Sequence, residues 1–253
     1  YHVGGCRYEH GDAEAIYELN DYFQQVSKIP VLIACNCNSG GDGACSDGTH
    51  IATAAACGAS GDEKVSYDTG YVSGKESTAI GCNWNFGPVC DILYNWRNTI
   101  VNSRAYGNNP DQVLKHCKAY IEGMRKSPIA VCCKHFPGDG VDYRDQHLMT
   151  TVNSLSEEMW KQYHGKVFAE LIKKGVACIM PGHITLPFYQ KERINGYLPP
   201  ATLSHELLTG LLKKEMHFNG VVVSDAMTMA GFRGWYKNDL EGQVASFLAG
   251  VDI

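Results

Sequence analysis

The sequence has 253 residues, of which 44% are hydrophobic, and its formal net charge is -5. This apolar content supports a substantial core, and the length suits one large domain or two smaller ones. The acidic balance and the lack of a basic cluster argue against a nucleic-acid partner. No apolar stretch approaches the ~18 residues of a membrane-spanning helix, so we expect no membrane partner.

The chain contains eleven cysteines, an odd number. No Cys-x-x-Cys pair suggests a zinc site. We predict buried reduced thiols rather than a disulfide framework, and therefore a cytosolic protein. The sequence opens at Tyr1 without a methionine, so a signal peptide lost with an earlier segment stays an open alternative. The cysteines in apolar, strand-like runs are Cys35, Cys82, Cys90, Cys132, Cys133 and Cys178.

Short apolar runs alternate with helical patterns along the chain. A first helix is predicted where Ile16, Leu19, Phe23 and Val26 recur at helical spacing. Alternation of strands with helices predicts an α/β fold with a parallel sheet that helices cover or close into a barrel. The predicted strands begin within 2–5, 31–36, 82–91, 129–133, 176–180, 221–225 and 250–253, one fewer than the eight of a barrel.

The segment 134–147, Lys-His-Phe-Pro-Gly-Asp-Gly-Val-Asp-Tyr-Arg-Asp-Gln-His, is the most unusual part of the sequence. It follows the predicted strand 129–133, which a proline and glycines prevent from continuing. Three of its residues, Asp139, Asp142 and Arg144, fit an ordinary solvated loop.

Three other residues of this segment suggest chemistry. Lys134 and His135 follow directly on the predicted strand, and the carboxyl ends of strands are where α/β sheets and barrels bind their ligands. His147 closes the segment, and its spacing alone does not distinguish a catalytic histidine from a loop histidine without a partner.

Lys-His-Phe-Pro-Gly-Asp-Gly followed by Asp-x-His resembles the signature of glycoside hydrolase family three, in its β-N-acetylhexosaminidase (NagZ-like) branch. The resemblance covers essentially the whole chain in order. It implies a (β/α) TIM-type barrel, with 1–253 as a single catalytic domain truncated at both ends. The first strand and helix are expected ahead of Tyr1, and the end of the last unit after Ile253.

The resemblance also assigns the catalytic residues. In that branch the histidine of Asp-x-His, here His147, is the general acid/base, and Asp145 can hydrogen-bond its imidazole and favour the protonated form. Asp225 ends an apolar strand, where a helix N-cap would be the ordinary interpretation. Ser-Asp-Ala-Met-Thr-Met, however, resembles the family segment that carries the nucleophilic aspartate, which implies a glycosyl-enzyme intermediate and retention.

Further residues match positions that hold sugar hydroxyls in the family. Lys134, His135 and Arg104 are such positions, although a salt-bridged structural role for Arg104 is an alternative. His183, in Met-Pro-Gly-His-Ile, is either a residue of the same rim or a satisfied core histidine. Asp91 is interpreted mainly as structural.

One segment departs from the family pattern. The family usually has Asp-x-Glu-Gly-Gly-Arg after its third strand, whereas this chain has Asn-Cys-Asn-Ser-Gly-Gly-Asp-Gly from Asn36. Asn36 can still bond hydroxyls, but the arginine is missing. This leaves the identity of the substrate open more than the type of reaction.

The resemblance therefore implies a retaining exo-β-N-acetylglucosaminidase that needs no cofactor. Its substrate would be a glycan or cell-wall fragment containing N-acetylglucosamine. A β-N-acetylglucosaminide phosphorylase or a β-glucosidase of the same family is the near alternative. Two alternatives of another class are a non-catalytic sugar-binding relative and a metal-dependent barrel hydrolase. The metal ligands of the last would be His135, Asp139, His147, His183 and Asp225.

Overall fold

The computed structural model describes residues 3–8 and 11–253. The predicted segment at 2–5 begins at His2, which lies outside the described residues. The chain forms two compact units. The first contains the chain up to Pro88 together with Lys115–Cys132, and the second contains Val89–Leu114 and Cys133–Ile253.

The first unit is built on neighbouring parallel strands and on helices. Asp12 caps its first helix by accepting the Ala15 N–H at 2.8 Å. A Cβ on Gly70 would lie 2.1 Å from the Tyr120 carbonyl oxygen, so the backbones of two helices are in close contact. In sheet order the strands are β1 (Gly5–Arg7), β2 (Leu32–Cys35), β3 (Trp84–Asn85) and the start of β4 (Ala130–Phe136). The helices are α1 (Ala13–Val26), α2 (Ala54–Ser60), α3 (Glu63–Ala79) and the greater part of α4 (Pro110–Met124).

The second unit contains the end of β4 and two sets of strands. In the larger sheet β4, β6 and β8 are neighbours in that order, and β6 pairs in parallel with β8. A separate parallel pair joins β5 to β7. The strands are β5 (Thr151–Val152), β6 (Cys178–Pro181), β7 (Ile184–Thr185) and β8 (Val221–Val222). The helices are α5 (Glu157–Gln162), α6 (His164–Lys173), the π-helical α7 (Glu206–Glu215), α8 (Ala230–Arg233) and α9 (Asp239–Ala249).

These parallel strands and intervening helices confirm the predicted α/β fold. The strand predicted at 129–133 is longer than expected, because β4 continues through Phe136 until Pro137 ends it. The first helix is confirmed, but Leu19 and Val26 are exposed rather than on a buried face. The single truncated barrel stays a prediction.

The thiol prediction is confirmed. All eleven cysteines lie within the described residues, and no disulfide joins any of them. Ten are buried, and Cys6 is half-buried. Across 3–8 and 11–253, no helix combines the length and the apolar character needed to cross a bilayer.

Candidate active site

The end of β4 places Lys134 and His135 in the interior of the second unit. Each side chain is about 3% exposed. Val89 forms a parallel bridge with Lys134, and the Cys90 N–H donates to the Lys134 carbonyl oxygen at 2.6 Å. Because of this pairing, Asp91 lies beside the part of β4 that contains His135.

His135 lies between two carboxylates. Its Nδ1 is 2.7 Å from Asp91 Oδ2, and its backbone N–H donates to Asp91 Oδ1 at 3.1 Å. On the other side of the ring, Nε2 is 3.8 Å from Asp225 Oδ2. Asp91 is completely buried, and it holds the imidazole that faces Asp225. These bonds agree with the structural role predicted for Asp91. The sequence did not predict that Asp91 holds the histidine that faces the proposed nucleophile.

Asp225 lies three residues after β8, because this strand ends at Val222 and not at Asp225 as the sequence indicated. Its backbone N–H donates to the Pro181 carbonyl oxygen at 3.3 Å, and Oδ1 accepts the Ala226 N–H at 2.8 Å. Burial raises the pKa of this carboxyl group, but the charge of His135 and the hydrogen bond from the Ala226 N–H act against burial, and the pKa is lowered below its usual value. The environment thus favours the carboxylate.

The helix N-cap interpretation of Asp225 is wrong. The next helix, α8, begins only at Ala230, and Met229 occupies its N-cap position. The Asp225 side chain instead bonds the residue that follows it and faces His135.

His147 and Asp145 form a hydrogen-bonded pair on the loop after β4. Nδ1 of His147 donates to Asp145 Oδ1 at 2.7 Å, and the His147 backbone N–H donates to the same oxygen at 2.8 Å. About half of the His147 side chain is exposed, against 23% for Asp145. With Nδ1 committed to Asp145, Nε2 is the ring nitrogen that can exchange a proton with a ligand.

Gln146, the residue between this pair, points into the protein and is 1% exposed. Its Nε2 donates to Asp139 Oδ2 at 3.1 Å, and its Oε1 accepts the His183 backbone N–H at 2.7 Å. Sequence reasoning missed Gln146, since an amide inside an Asp-x-His motif carries no signal of burial.

The solvated-loop interpretation is wrong for Asp139, which is 2% exposed. Its carboxylate accepts the Asn98 side-chain N–H at 3.2 Å and the Gln146 side-chain N–H, while its own backbone N–H donates to Asp91 at 2.8 Å. Burial and the neighbouring Asp91 charge raise the pKa of Asp139. Asp139 therefore fixes the path of the loop from inside.

The same interpretation is wrong for Asp142, whose side chain is 7% exposed. Its carboxylate accepts Nε of Arg144 at 3.0 Å and the Val152 backbone N–H at 3.0 Å. Arg144, about one-third exposed, pairs with Asp142 on this loop. Asp142 thereby ties the loop to β5.

His183 is completely buried, and both of its ring nitrogens are hydrogen-bonded. Nε2 donates to the Ala226 carbonyl oxygen at 3.1 Å, and Nδ1 accepts from the Thr202 hydroxyl at 2.9 Å. Burial lowers the pKa of His183. These contacts agree with the core-histidine alternative, and a contact with substrate stays a prediction.

The remaining predicted ligand residues differ in their surroundings. The positive charge of Lys134 favours the ionised form of Asp225, and that of Arg104 favours the ionised form of Asp139. Arg104 ends a short 3-10 turn, and the salt bridges between described side chains do not include it. Asn36 lies in the first unit, where its Oδ1 accepts from the Asn38 amide at 3.3 Å. Their contacts with sugar stay predictions.

The five residues of the metal-site alternative do not form a metal site. Within 3–8 and 11–253, no three His, Cys, Asp or Glu side chains are grouped so that they could hold a metal ion. His183 uses both ring nitrogens for other bonds, and Asp139 accepts from amides.

The second unit thus combines a strand-end carboxylate with an imidazole that a second carboxylate orients. A carboxylate can attack an electrophilic carbon, and an imidazole at the operating pH can give and take a proton. Groups of these types carry out acid/base-assisted substitution, which is the class of chemistry that glycosidic bonds require.

The family profile described as "Glycosyl hydrolase family 3 N terminal domain" matches residues 1–253. The chain belongs to glycoside hydrolase family 3, which confirms the resemblance found in the sequence. The β-N-acetylglucosaminidase/β-glucosidase of Cellulomonas fimi is 38% identical over 234 residues, which cover 91% of this chain and 42% of that protein.

Two solved structures are also similar. A structure named β-glucoside phosphorylase BglX superposes with a TM-score of 0.96 and 37% identity, over 100% of this chain and 47% of that one. A family 3 β-N-acetylglucosaminidase from Paenibacillus sp. str. FPU-7 has a TM-score of 0.88 and 29% identity, over 100% of this chain and 48% of that one. The chain therefore spans less than half of each of these three relatives.

Proposed function

We propose that the protein is a retaining exo-β-N-acetylglucosaminidase that hydrolyses terminal β-linked N-acetylhexosamine. The observation that carries the proposal is the presence, in one unit, of the Asp225 carboxyl group 3.8 Å from His135 and the hydrogen-bonded His147–Asp145 pair. The substrate is a glycan or cell-wall fragment containing N-acetylglucosamine. We further propose a single (β/α) barrel as the catalytic domain and a cytosolic location.

In the first step His147 donates the proton on Nε2 to the glycosidic oxygen. Asp225 attacks the anomeric carbon, the bond from that carbon to the leaving oxygen breaks, and an ester joins the sugar to Asp225. Asp145 accepts the Nδ1 hydrogen throughout and holds the imidazole in one orientation.

In the second step the neutral His147 takes a proton from water. The water oxygen attacks the anomeric carbon from the face that the leaving group vacated, and the Asp225 ester breaks. Two inversions give a product of retained configuration, and no cofactor takes part. The residues of the second unit that we propose to bond the sugar hydroxyls are Lys134, His135 and Arg104.

The test uses the complete protein and aryl β-glycosides. The wild type should cleave the N-acetylglucosaminide with a much higher kcat/KM than the glucoside, and NMR should detect the β-anomer as the first product. Asp225→Ala should lose on the order of 10³-fold or more in kcat. The matched control is Asp239→Ala, since Asp239 is 64% exposed in a surface ion pair. Substantial turnover by Asp225→Ala, or an α-anomer as first product, would contradict the proposal.

A second candidate is a phosphorylase, because the structure with a TM-score of 0.96 is named β-glucoside phosphorylase. Phosphate oxygen would then attack the glycosyl ester in place of water, releasing Asp225 and a sugar 1-phosphate. A neutral imidazole repels phosphate less than a carboxylate acid/base would. Products formed with and without phosphate distinguish the two reactions, and parallel assays with glucosides test the β-glucosidase alternative.

A further inference from the structure

We infer that a pocket beside the His147 loop binds the leaving-group side of the substrate and accommodates a second sugar ring. The inference rests on the proposed function, and it names the part of the substrate that the catalytic residues do not. The pocket has a volume of about 500 Å³, within the range of small-ligand sites. Its lining includes Thr150, Thr185, Arg193, Asn195, Tyr197 and Trp235.

The pocket adjoins the segment that carries the proposed acid/base. Thr150 follows His147 by three residues, so their Cα atoms are at most about 11 Å apart. The Ala230 N–H donates to the His147 carbonyl oxygen at 2.9 Å, which holds the start of α8 against this segment. Because His147 would protonate the leaving oxygen, the leaving group must lie on the side of the site where this segment runs.

One wall of the pocket is fixed to the same segment. The indole N–H of Trp235 donates to the Thr150 hydroxyl at 2.8 Å and is also within 3.2 Å of the Gly231 carbonyl oxygen. The Thr150 hydroxyl in turn donates to Gly231 at 2.8 Å. The Trp235 ring is thus held in place without a ligand.

The lining also includes an exposed aromatic ring on a tight turn, that of Tyr197. Tyr197 is 72% exposed, although exposing a tyrosine ring leaves apolar surface in water. Ile194 and Tyr197 exchange two backbone hydrogen bonds, at 2.9 and 3.0 Å, across Asn195 and Gly196. Both turn residues have positive φ, 51° and 85°, as a two-residue type I′ hairpin turn requires. The turn therefore presents Tyr197 rigidly.

The chemistry of the lining suits a pyranose. A sugar ring has a C–H face that packs on aromatic rings and a rim of hydroxyls that exchange hydrogen bonds. Tyr197 and Trp235 supply rings, while Asn195, Thr185 and Arg193 supply donors and acceptors. A small alcohol as leaving group would use none of these groups.

The test compares two substrates of the complete protein with alcohol leaving groups of similar reactivity. One is a β-1,4-linked disaccharide of N-acetylglucosamine, and the other is the methyl β-N-acetylglucosaminide, which lacks the second ring. Tyr197→Ala should lower kcat/KM for the disaccharide by roughly tenfold and leave that for the methyl glycoside unchanged. Tyr197→Phe, which keeps the ring, should retain the preference of the wild type.

Tyr22→Ala is the matched control, because Tyr22 is a 59% exposed tyrosine on α1. It should change neither substrate's kcat/KM. An unchanged ratio of the two specificity constants in Tyr197→Ala, or an equal fall for both substrates, would overturn the pocket assignment alone. A wild-type protein inactive on every N-acetylglucosaminide would overturn the proposed function and the pocket with it.

Discussion

The side-chain carbonyl of Gln146 accepts the His183 backbone N–H at 2.7 Å, and this bond joins the loop of the proposed acid/base to the segment that follows β6. His183 in turn donates to the carbonyl oxygen of Ala226, and the Ala226 N–H donates to Asp225. A continuous series of hydrogen bonds therefore runs from the residue beside His147 to the proposed nucleophile. Gln146 thus links the loop that carries the proposed acid/base to the segment that carries the proposed nucleophile.

Replacing Gln146 with Met removes both hydrogen bonds at similar size. Because displacement of a catalytic group by about 1 Å can cost 10²-fold, kcat/KM for poor leaving groups should fall by that order, with a smaller loss for dinitrophenyl glycosides. The control is Gln190→Met, since Gln190 is also buried and bonds Leu186 and Pro199 at 2.7 Å. If both variants lose stability alike and neither changes the leaving-group dependence, Gln146 has no positioning role.

Removing the imidazole tests the acid step directly. His147→Ala should lower kcat/KM for alkyl glycosides by about 10²–10⁴-fold, whereas a dinitrophenolate leaves without a proton, so kcat/KM for its glycoside should be nearly unchanged. A series of substrates with different leaving groups, measured on the wild type and the variant, gives for each protein the slope of log kcat/KM against leaving-group pKa. His205→Ala, at an exposed histidine, should leave the series unchanged. Equal losses for good and poor leaving groups would remove His147 from the acid role.

The acidic limb of the kcat/KM profile should report Asp225, which must be ionised to attack. Burial raises its pKa, but the positive charges nearby lower the pKa overall, so activity should persist below the ordinary aspartate value of about 3.9. His135→Gln removes the largest favourable charge and should move this limb to higher pH. The measurement is a pair of pH profiles with circular dichroism as a check on folding. An unmoved limb would show that His135 does not act on Asp225.

Asp142 should contribute to stability in a pH-dependent way. Burial raises its pKa, but the hydrogen bonds from Arg144 and Val152 lower the pKa overall in the folded protein. A carboxyl group whose pKa is lowered by folding stabilises the folded protein at pH values above its unfolded pKa of about 3.9. This contribution is lost as the pH falls through the folded-state pKa. Asp142→Asn should therefore cost about 1–3 kcal/mol at pH 7 and much less near pH 3.

Denaturant unfolding at both pH values measures this difference. Asp239→Asn is the control, because its exposed ion pair with Arg233 is expected to contribute only about 0–1 kcal/mol. A loss in Asp142→Asn that is equal at pH 7 and pH 3 would contradict the ionic origin of the effect.

The sequence predicted those parts of the site that depend on local pattern. Apolar runs ending in Lys134–His135 and in Asp225 indicated two strand ends, and parallel strands bring such ends to one edge. The two-residue spacing of Asp145 and His147 allowed the hydrogen bond that the structure contains.

The burial of Asp139, Asp142 and Gln146 was not predictable, because it depends on partners far along the chain. Asn98 lies 41 residues from Asp139, and His183 lies 37 residues from Gln146. No periodicity relates residues at such distances. The local sequence of a polar loop whose side chains are buried therefore does not distinguish it from a solvated loop.

The reactivity of the buried thiols can report local opening of the structure around each of them. Cys37 in the first unit and Cys133 in the second are both fully buried, so a thiol reagent can reach either only after its surroundings open. Cys133 directly precedes Lys134, and a ligand that stabilises the end of β4 should slow its labelling. Labelling of Cys133 ahead of Cys37 would locate the earlier opening in the second unit, which carries the proposed acid/base.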